Sequence, residues 1–400
     1  MKPIPAYLYF RLFLLCYLIS LGGFYLFIGG YVTAGSLGKS DLLDLSNKPA
    51  GSDFVVYWTA SKVARTQSPA AVFSRETMAA AEREVIGAAI PPRIWNYPPT
   101  FLLMVLPLSL LPYFASLLTW LGSTFCGFIY VIRRLAPHRG AWLFLFFPGA
   151  VSNFLYGQNG FLSAIFLGGG LLLMDRHPFL GGSLLGLLSY KPQLAFLIPI
   201  ALAAGRCWRA LAGAVSAAAG LALASLFWLG LAPWVSFLKN LSLVAGLLER
   251  PHLWGKMPTI FAGLEQAGVS PGTALALQLA ATVGVGCVVA RVWYLAPPLP
   301  WRGSVLALGV ILATPYAFAY DLAIIALPFA WLGWEAYRNG WIVDEVLLLL
   351  AWTLMAWWSL GIPRPLAWAA NFPFTQAALA ALLFLALYRL PQPAQLGRSP

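Results

Sequence analysis

One carboxylate, Asp53, lies in the segment Gly51-Ser52-Asp53-Phe54, in the first polar stretch after a long apolar run. Only 13 of the 400 residues are acidic, and an unpaired carboxylate near lipid is energetically costly. Asp53 could therefore act as a general base that accepts a proton from a hydroxyl group. It could equally be the N-cap of a helix, a position for which Ser52 is the rival.

A lysine in an apolar environment is the second candidate. Lys191 precedes Pro192 in the middle of an otherwise apolar hairpin. Its ammonium either reaches the membrane surface along its aliphatic stem or stays buried and binds an anion, for which a phosphate is the natural choice. Both interpretations stay open on the sequence.

Two further polar pairs interrupt apolar segments. Gln158 and Asn159 lie between two glycines, which predicts a tight turn, although their amides could also bind hydroxyl groups. Tyr320 and Asp321 begin a helix, and Asp321 is well placed to interact with the helix N-terminus. The turn is the favoured interpretation for Gln158 and Asn159, whereas a structural and a functional role are equally compatible with Tyr320 and Asp321.

A cationic group follows in a later polar stretch and consists of Arg250, His252 and Lys256. These side chains are either solvated or stabilise a departing phosphate. Arg364 is a similar but weaker candidate. The sequence contains no HExxH, GxSxG, P-loop or DxD-like motif, and the missing DxD-like pair argues against an enzyme that holds a nucleotide diphosphate through a metal.

Composition defines the elements that must position these residues. Hydrophobic residues make up 60% of the chain, charged residues 10%, and the mean hydropathy is +0.78. The apolar segments are continuous blocks rather than alternating strands, so they predict an all-α polytopic membrane protein and exclude a soluble domain or a β-barrel. The net charge of +12 comes from single or paired basic residues between these blocks, which indicates membrane topology rather than nucleic-acid binding.

The four cysteines are scattered and predict neither a disulfide framework nor a zinc site. The first apolar segment, about residues 7–30, is too long for a signal peptide and is expected to stay as a helix. Lys2 and Arg11 flank its start, so the positive-inside rule places the N-terminus in the cytoplasm. The loop that follows, residues 31–96, is then extracytoplasmic and contains Asp53.

Two amphipathic helices, residues 52–66 and 75–86, are predicted in this first loop and would suit the membrane surface. Residues 97–132 are apolar over a length that allows one crossing and a half-inserted helix, with Pro107 and Pro112 available to break it. An odd number of crossings there keeps the basic cluster of Arg133, Arg134 and Arg139 in the cytoplasm.

Several later spans have only about 13 residues, fewer than the roughly 20 needed to cross a bilayer, which suggests a thin membrane or an outward-opening cavity. The pattern predicts about twelve crossings, both termini in the cytoplasm, a second extracytoplasmic loop at residues 232–272, and one domain over residues 1–400. In this topology Asp53, Gln158-Asn159, Lys191 and Tyr320-Asp321 converge on the extracytoplasmic side.

The order and spacing of several motifs resemble glycosyltransferase family 87. The resemblance covers about residues 50–340. The motifs are Gly51-Ser52-Asp53-Phe54 with Tyr57 and Trp58, Trp95-Asn96-Tyr97-Pro98-Pro99, Leu106-Pro107-Leu108, Leu111-Pro112-Tyr113, Gly157-Gln158-Asn159, Gly186 with Lys191-Pro192, and Pro315 with Tyr320-Asp321.

The resemblance implies a GT-C-type fold in a bacterial inner membrane and an inverting, metal-independent transfer without a cofactor. The donor would be a polyprenyl-phosphate sugar, most often mannose in this group, and the acceptor a lipid or glycan at the extracytoplasmic face. Asp53 matches the catalytic base of the family, and Lys191 matches a contact to the donor phosphate, with His252, Lys256 and Arg250 as further phosphate candidates. Substrate contacts are expected from Tyr57, Trp58, Tyr97, Gln158, Asn159, Tyr320, Asp321 and Arg364.

The chain also departs from this family. Some members depend on a histidine late in the chain, and this sequence has none beyond His252. An actinobacterial phosphoglycolipid is therefore not assumed as the acceptor.

Two other classes of membrane protein are less compatible with the sequence. A transporter or lipid flippase would be expected to show inverted repeats, and no internal duplication is evident, while the long first loop is more typical of an enzyme. A membrane acyltransferase usually needs a histidine at membrane depth, whereas His138, His177 and His252 all fall in loops.

Overall fold

The structure is a computed structural model that describes residues 6–34, 43, 48–87, 93–136, 139–242, 246, 248, 250–359 and 373–391. Regular structure in these residues is helical, apart from an isolated bridge between Leu43 and Pro49. The predicted all-α class is therefore confirmed.

Five helices in the described part of the chain are long and apolar enough to cross a membrane: Phe10–Ala34, Tyr113–Leu135, Trp208–Leu229, Pro271–Leu295 and Ile342–Ser359. Large apolar side chains such as Phe27, Phe227 and Trp228 are exposed on these helices. Such surfaces are stable only against lipid or another protein. The protein is therefore a multi-pass membrane protein.

Six shorter apolar helical segments of 10–17 residues accompany them: Pro99–Leu110, Gly160–Leu173, Pro178–Tyr190, Pro192–Ala204, Leu299–Leu312 and Phe374–Tyr388. Their lengths agree with the short spans expected from the sequence. Because a helix of this length falls short of a full bilayer, the structure does not establish twelve crossings, and that number stays a prediction. The GT-C-type arrangement and the single domain also stay predictions.

The region predicted to hold one crossing and a half-inserted helix contains a short and a long helical part, and the crossing itself stays a prediction. A short helix, Pro99–Val105, is followed by a 3₁₀ turn, Leu108–Leu110, and then by the long helix Tyr113–Leu135. Pro107 and Pro112 stand directly before the second and third of these elements. Proline lacks the backbone N–H that would continue a helix, so the breaks occur at these residues.

Both helices expected in the first loop are present, as Phe54–Thr66 and Arg75–Ile86. The second begins at Ser74, whose hydroxyl accepts a hydrogen bond from the Thr77 amide, and ends at Gly87 in the left-handed conformation. The first has nine of its 13 residues buried, Phe54 and Ala60 completely, so it packs into the protein core.

The second loop, residues 232–272, contains the helices Ala232–Lys239, Pro251–Trp254 and Ile260–Gln266. The Asn240 side chain donates a hydrogen bond to the Phe73 carbonyl and joins this loop to the first one. The other helices and 3₁₀ segments are Pro69–Phe73, Arg139–Phe146, Pro148–Tyr156, Ala319–Ile325 and Ala326–Asn339. The first long helix extends over Ala6–Ala34, and the apolar segments Pro178–Tyr190 and Pro192–Ala204 consist of Pro178–Leu187, Leu188–Tyr190, Pro192–Ala195 and Leu197–Ala204.

The helix Gly160–Leu173 runs from the turn at Gln158 to the turn at Asp175, so these two turns lie at different ends of the molecule. One end, here called the Asp53 end, contains Asp53 hydrogen-bonded to Gln158 and Lys191 hydrogen-bonded to Asp321, and Tyr97 lies between these two pairs. The opposite end, here called the Arg302 end, contains the turns at residues 174–178, 205–208 and 296–298. Arg302 bonds to Asp175 there and holds two of these turns together.

Candidate active site

Asp53 occupies the N-cap position of the helix Phe54–Thr66, but its side chain makes no capping hydrogen bond. Its Oδ2 instead accepts a hydrogen bond of 2.9 Å from Nε2 of Gln158. The backbone is fixed independently, because the Asp53 amide donates to the Tyr156 carbonyl at 2.9 Å. The half-buried carboxylate is thus directed at a distant turn of the chain rather than at its own helix.

Gln158 orients this interaction. Its Oε1 accepts a short hydrogen bond from the Tyr57 hydroxyl and a longer one, 3.5 Å, from the Tyr97 hydroxyl. The two tyrosine hydroxyls lie 3.0 Å apart. Because tyrosine donors occupy the amide oxygen, the amide nitrogen must face Asp53. Gln158 is buried, so water does not compete for these bonds.

The turn that carries Gln158 requires glycine on both sides. Gly157 has φ of +69°, a backbone conformation that L side chains rarely adopt. At Gly160 a Cβ atom would lie 2.0 Å from the Tyr320 carbonyl oxygen, so only glycine permits this approach. The expected tight turn is present, and it also places its amide side chains in the polar cluster.

Asn153 locks this turn to the segment that contains Tyr320. Its Nδ2 donates to the Tyr320 carbonyl at 2.8 Å, and its Oδ1 accepts from the Gly160 amide at 2.7 Å. Sequence reasoning missed this residue. The sequence feature that could have indicated Asn153 is a lone amide side chain in an apolar helix, four residues before Gly157.

Lys191 is a buried cation, and its counter-ion is Asp321. The ammonium donates to Asp321 Oδ1 at 2.5 Å, and the side chains are 2% and 3% exposed. Asp321 Oδ2 accepts from the Phe318 amide at 2.9 Å, so this carboxylate also caps the helical turn Ala319–Ile325, as expected. The anion bound in the structure is therefore a carboxylate rather than the phosphate considered from the sequence.

Aromatic rings surround the Lys191 ammonium, which lies 5.0 Å from the ring centre of Tyr320 and 6.0 Å from that of Tyr97. The Tyr97 hydroxyl bonds to Gln158 and Tyr57, so Tyr97 connects the Asp53 and Lys191 parts of the cluster. The completely buried Asn159 side chain interacts with the Tyr97 hydroxyl and so belongs to the same cluster.

The second loop reaches the same cluster. The Lys256 carbonyl accepts a hydrogen bond of 2.9 Å from the Ala319 amide. Arg250 and Asp53 both interact electrostatically with the Tyr316 hydroxyl, and Asp53 also interacts with that of Tyr320. Tyr316 is a further residue that sequence reasoning missed. The cations Arg250, His252 and Lys256 are all exposed on this loop.

Two predicted residues are not placed in the cluster. Trp58 points away, since its indole N–H donates to the Leu111 carbonyl at 3.0 Å and its ring packs on Tyr113. Arg364 lies outside the described residues.

Glu82 is a buried acid on the helix Arg75–Ile86 of the first loop, with a side chain that is 1% exposed. Its Oε2 accepts from the Arg93 amide at 3.3 Å, while Oε1 has no hydrogen-bond partner. Burial raises the pKa of Glu82 to about 7 and outweighs the opposite influence of Arg93. The region beside the candidate site therefore has a group that titrates near neutral pH.

Two cavities in the described part of the chain lie away from Asp53 and Lys191. One is lined by Arg11, Phe144, Glu345 and Trp352, and the other lies at the Arg302 end. The rim of the Asp53 cluster consists of the half-buried residues Asp53, Tyr97, Tyr316 and Tyr320. Among the described residues, no three histidine, cysteine or acidic side chains are grouped as metal ligands.

The arrangement combines a half-buried carboxylate held by an amide, a buried cation with its counter-ion, and exposed cations beside them. It can accept a proton from a hydroxyl at Asp53 and attract an anion to the rim. These are the capabilities that acid–base group transfer from a phosphate requires.

Comparison with known proteins identifies the family. The sequence profile of glycosyltransferase family 87 matches residues 95–315, just over half of the chain. This segment includes Tyr97, Gln158, Asn159 and Lys191, whereas Asp53 and Asp321 lie on either side of it. No curated protein and no solved structure matches the chain significantly. The chain belongs to glycosyltransferase family 87.

Proposed function

We propose that this membrane glycosyltransferase moves a hexose, mannose, from a polyprenyl-phosphate donor to a lipid-linked or glycan acceptor. The reaction takes place at the extracytoplasmic face, inverts the anomeric centre and needs no metal. The protein would act in a bacterial inner membrane.

The observation that carries this proposal is the hydrogen bond between Asp53 and Gln158. An amide that two tyrosines orient holds the carboxylate in place, while its half-exposed position leaves it open to an acceptor hydroxyl. Asp53 takes the hydroxyl proton as the acceptor oxygen bonds to the anomeric carbon. The bond from that carbon to the phosphate oxygen breaks, and its electron pair leaves with the phosphate. One displacement of this kind inverts the anomeric configuration.

Cationic side chains would stabilise the departing phosphate. Arg250, His252 and Lys256 are exposed, so they can turn toward a phosphate at the rim. Lys191 is neutralised by Asp321, but its ammonium has three N–H donors and can give one to a phosphate while the pair stays intact. We therefore expect Lys191 to orient the phosphate as well as to stabilise its negative charge.

The distribution of basic residues supports an extracytoplasmic site. The cavity at the Arg302 end is lined by Arg206, Arg209 and Arg302. The last turn of the helix Tyr113–Leu135, which ends on the same side, contains Arg133 and Arg134. The positive-inside rule assigns that end to the cytoplasm and the Asp53 end to the other side. A polyprenyl tail would then lie against the exposed apolar faces of the long helices.

The direct test is to incubate the purified protein with a panel of polyprenyl-phosphate sugars and native membrane lipids. We expect a lipid whose mass rises by one hexose, greatest yield with mannose, and the same yield with a chelator of divalent metals. NMR of the product should show inversion. Binding of the donor with no product from any acceptor would favour the transporter or flippase and contradict the proposal.

The residue-level test is Asp53→Asn, which keeps the shape and a hydrogen-bond acceptor but removes the base. Transfer should fall by about 10² to 10⁴-fold while the unfolding temperature stays close to that of the wild type. Glu84→Gln, an exposed carboxylate in the same loop, is the matched control and should leave transfer unchanged. Normal turnover in Asp53→Asn would exclude this aspartate as the base.

A further inference from the structure

A cavity of about 400 Å³ opens at the Arg302 end, opposite the candidate active site. Its lining includes Asp175, Arg206, Cys207, Trp208, Arg209 and Arg302. These residues come from two turns between helices and from the first turn of the helix Leu299–Leu312, so the cavity is a product of the tertiary fold. Three arginines against one aspartate give it a positive charge.

Only part of this positive charge is paired with an acidic group of the protein. Arg302 Nη2 donates to Asp175 at 3.0 Å, but the buried Nε of the same guanidinium has no hydrogen-bond partner. The guanidinium also lies 5.4 Å from the ring centre of Trp293, which fixes its orientation. The Asp175 carboxylate therefore satisfies only part of the Arg302 guanidinium.

Arg206 reaches the cavity from an unusual backbone conformation. It is a non-glycine residue with φ of +54°, held by hydrogen bonds from its own amide to Ala203 and from the Cys207 amide to Leu202. This left-handed residue ends the helix Leu197–Ala204 and turns the chain toward the cavity. The guanidinium packs 5.7 Å from the centre of the Tyr294 ring.

The mouth of the cavity borders an exposed apolar surface. Trp208, which lines the cavity, is 62% exposed, and Phe179 and Leu180 beside the lining residue Pro178 are also exposed. An exposed tryptophan next to arginines is typical of the boundary between the hydrocarbon and head-group regions of a bilayer. A ligand with an anionic head and an apolar body would satisfy both surfaces.

We propose that this cavity binds the phosphate of an anionic phospholipid from the leaflet at the Arg302 end. Arg206, Arg209 and Arg302 would contact the phosphate oxygens, and the acyl chains would lie against Trp208, Phe179 and Leu180. Basic pockets between membrane helices bind anionic lipid head groups in this way. The site is separate from glycosyl transfer, so its test needs no substrate.

The test compares two double variants of the full-length protein by native mass spectrometry in detergent. Arg206→Gln/Arg209→Gln removes two charges from the cavity, whereas Arg133→Gln/Arg134→Gln removes two exposed charges near the C-terminal end of the helix Tyr113–Leu135. Both variants lose the same charge, which controls for general attraction to anionic lipid. Each is titrated with phosphatidylglycerol, phosphatidylcholine and inorganic phosphate.

We expect the wild type and the control to retain phosphatidylglycerol in preference to phosphatidylcholine. The cavity variant should bind phosphatidylglycerol at least about tenfold more weakly, since each lost arginine removes a favourable contact with anionic lipid. Inorganic phosphate should compete only weakly, because it lacks the apolar part.

Equal phosphatidylglycerol binding by the two double variants would overturn the proposal. Strong binding of inorganic phosphate without a preference between the two lipids would overturn the lipid assignment. If the cavity variant does not fold, lipid binding by the wild-type protein still tests the proposal. A wild type that shows no preference for phosphatidylglycerol over phosphatidylcholine would contradict the site.

Discussion

Two ion pairs, one at each end of the molecule, have similar atomic distances and different surroundings. Lys191 and Asp321 lie 2.5 Å apart with side chains that are 2% and 3% exposed. Arg302 and Asp175 lie 3.0 Å apart, but Asp175 is 63% exposed and Arg302 is 14% exposed. The first pair is held in a nearly water-free cluster, while the second stands at the edge of an open, basic cavity.

The difference shows that burial, more than distance, determines what an ion pair does. A buried pair loses hydration on both sides, so each partner depends on the other and the pair fixes its surroundings in one geometry. In the second pair the exposed Asp175 carboxylate is screened by water, so its attraction for Arg302 is weaker. The Asp53 end is therefore suited to holding the proposed catalytic groups in place, and the Arg302 end to the proposed binding of lipid.

The largest effect should come from breaking the buried pair. Asp321→Asn leaves the Lys191 ammonium without its counter-ion, and we expect a loss of about 3–5 kcal/mol in the free energy of unfolding. Chemical denaturation of the protein in detergent measures this change.

A double variant distinguishes the loss of the ion-pair attraction from the energetic cost of a buried charge without its partner. Lys191→Met/Asp321→Leu removes both charges and should recover most of the stability lost in Asp321→Asn. Wild-type stability in Asp321→Asn would contradict the role of this pair.

The pH dependence of the Asp53 end provides the second comparison. Burial raises the pKa of Glu82 from 4.5 to about 7, so the folded state favours the protonated acid. The free energy of unfolding is therefore highest below pH of about 4.5, and it falls by about 3 kcal/mol as the pH rises to about 7.

Glu82→Gln should remove this dependence and be more stable than the wild type at pH of about 8. Denaturation curves of both proteins across this pH range measure it. The exposed neighbour, Glu84→Gln, is the control and should follow the wild type. A wild-type protein whose stability does not fall over this range would show that Glu82 is not buried as an acid.

Gln158 tests the positioning of Asp53 with a smaller effect. Gln158→Ala removes the donor that holds the carboxylate, and we expect kcat for sugar transfer to fall by about 10 to 100-fold with little change in KM. The control is Gln67→Ala, at an exposed glutamine directly after the helix Phe54–Thr66, and it should behave like the wild type. An unchanged kcat in Gln158→Ala would show that Asp53 does not need this partner.

The smallest effect is expected at the exposed pair. Asp175→Asn should change the free energy of unfolding by less than about 1 kcal/mol, and added salt should reduce the difference further. The same denaturation assay applies. A loss as large as that of Asp321→Asn would remove the distinction between the two ends.

Local sequence patterns predicted most of the helices of this protein. The helix Arg75–Ile86 has its predicted bounds because a serine cap and a left-handed glycine define both ends within the segment itself. The breaks at Pro107 and Pro112 were also visible, since proline acts on its own turn. The short apolar segments revealed a membrane protein, although their length could not fix the number of crossings.

The partners inside the candidate site were decided by the tertiary structure. Gln158 meets Asp53 across 105 residues and Asp321 meets Lys191 across 130, and nothing local to these positions specifies either contact. The sequence identified all four residues as polar interruptions in an apolar chain. Whether Lys191 binds an aspartate or reaches water depends on which helices pack together, because packing decides how much water each charge retains.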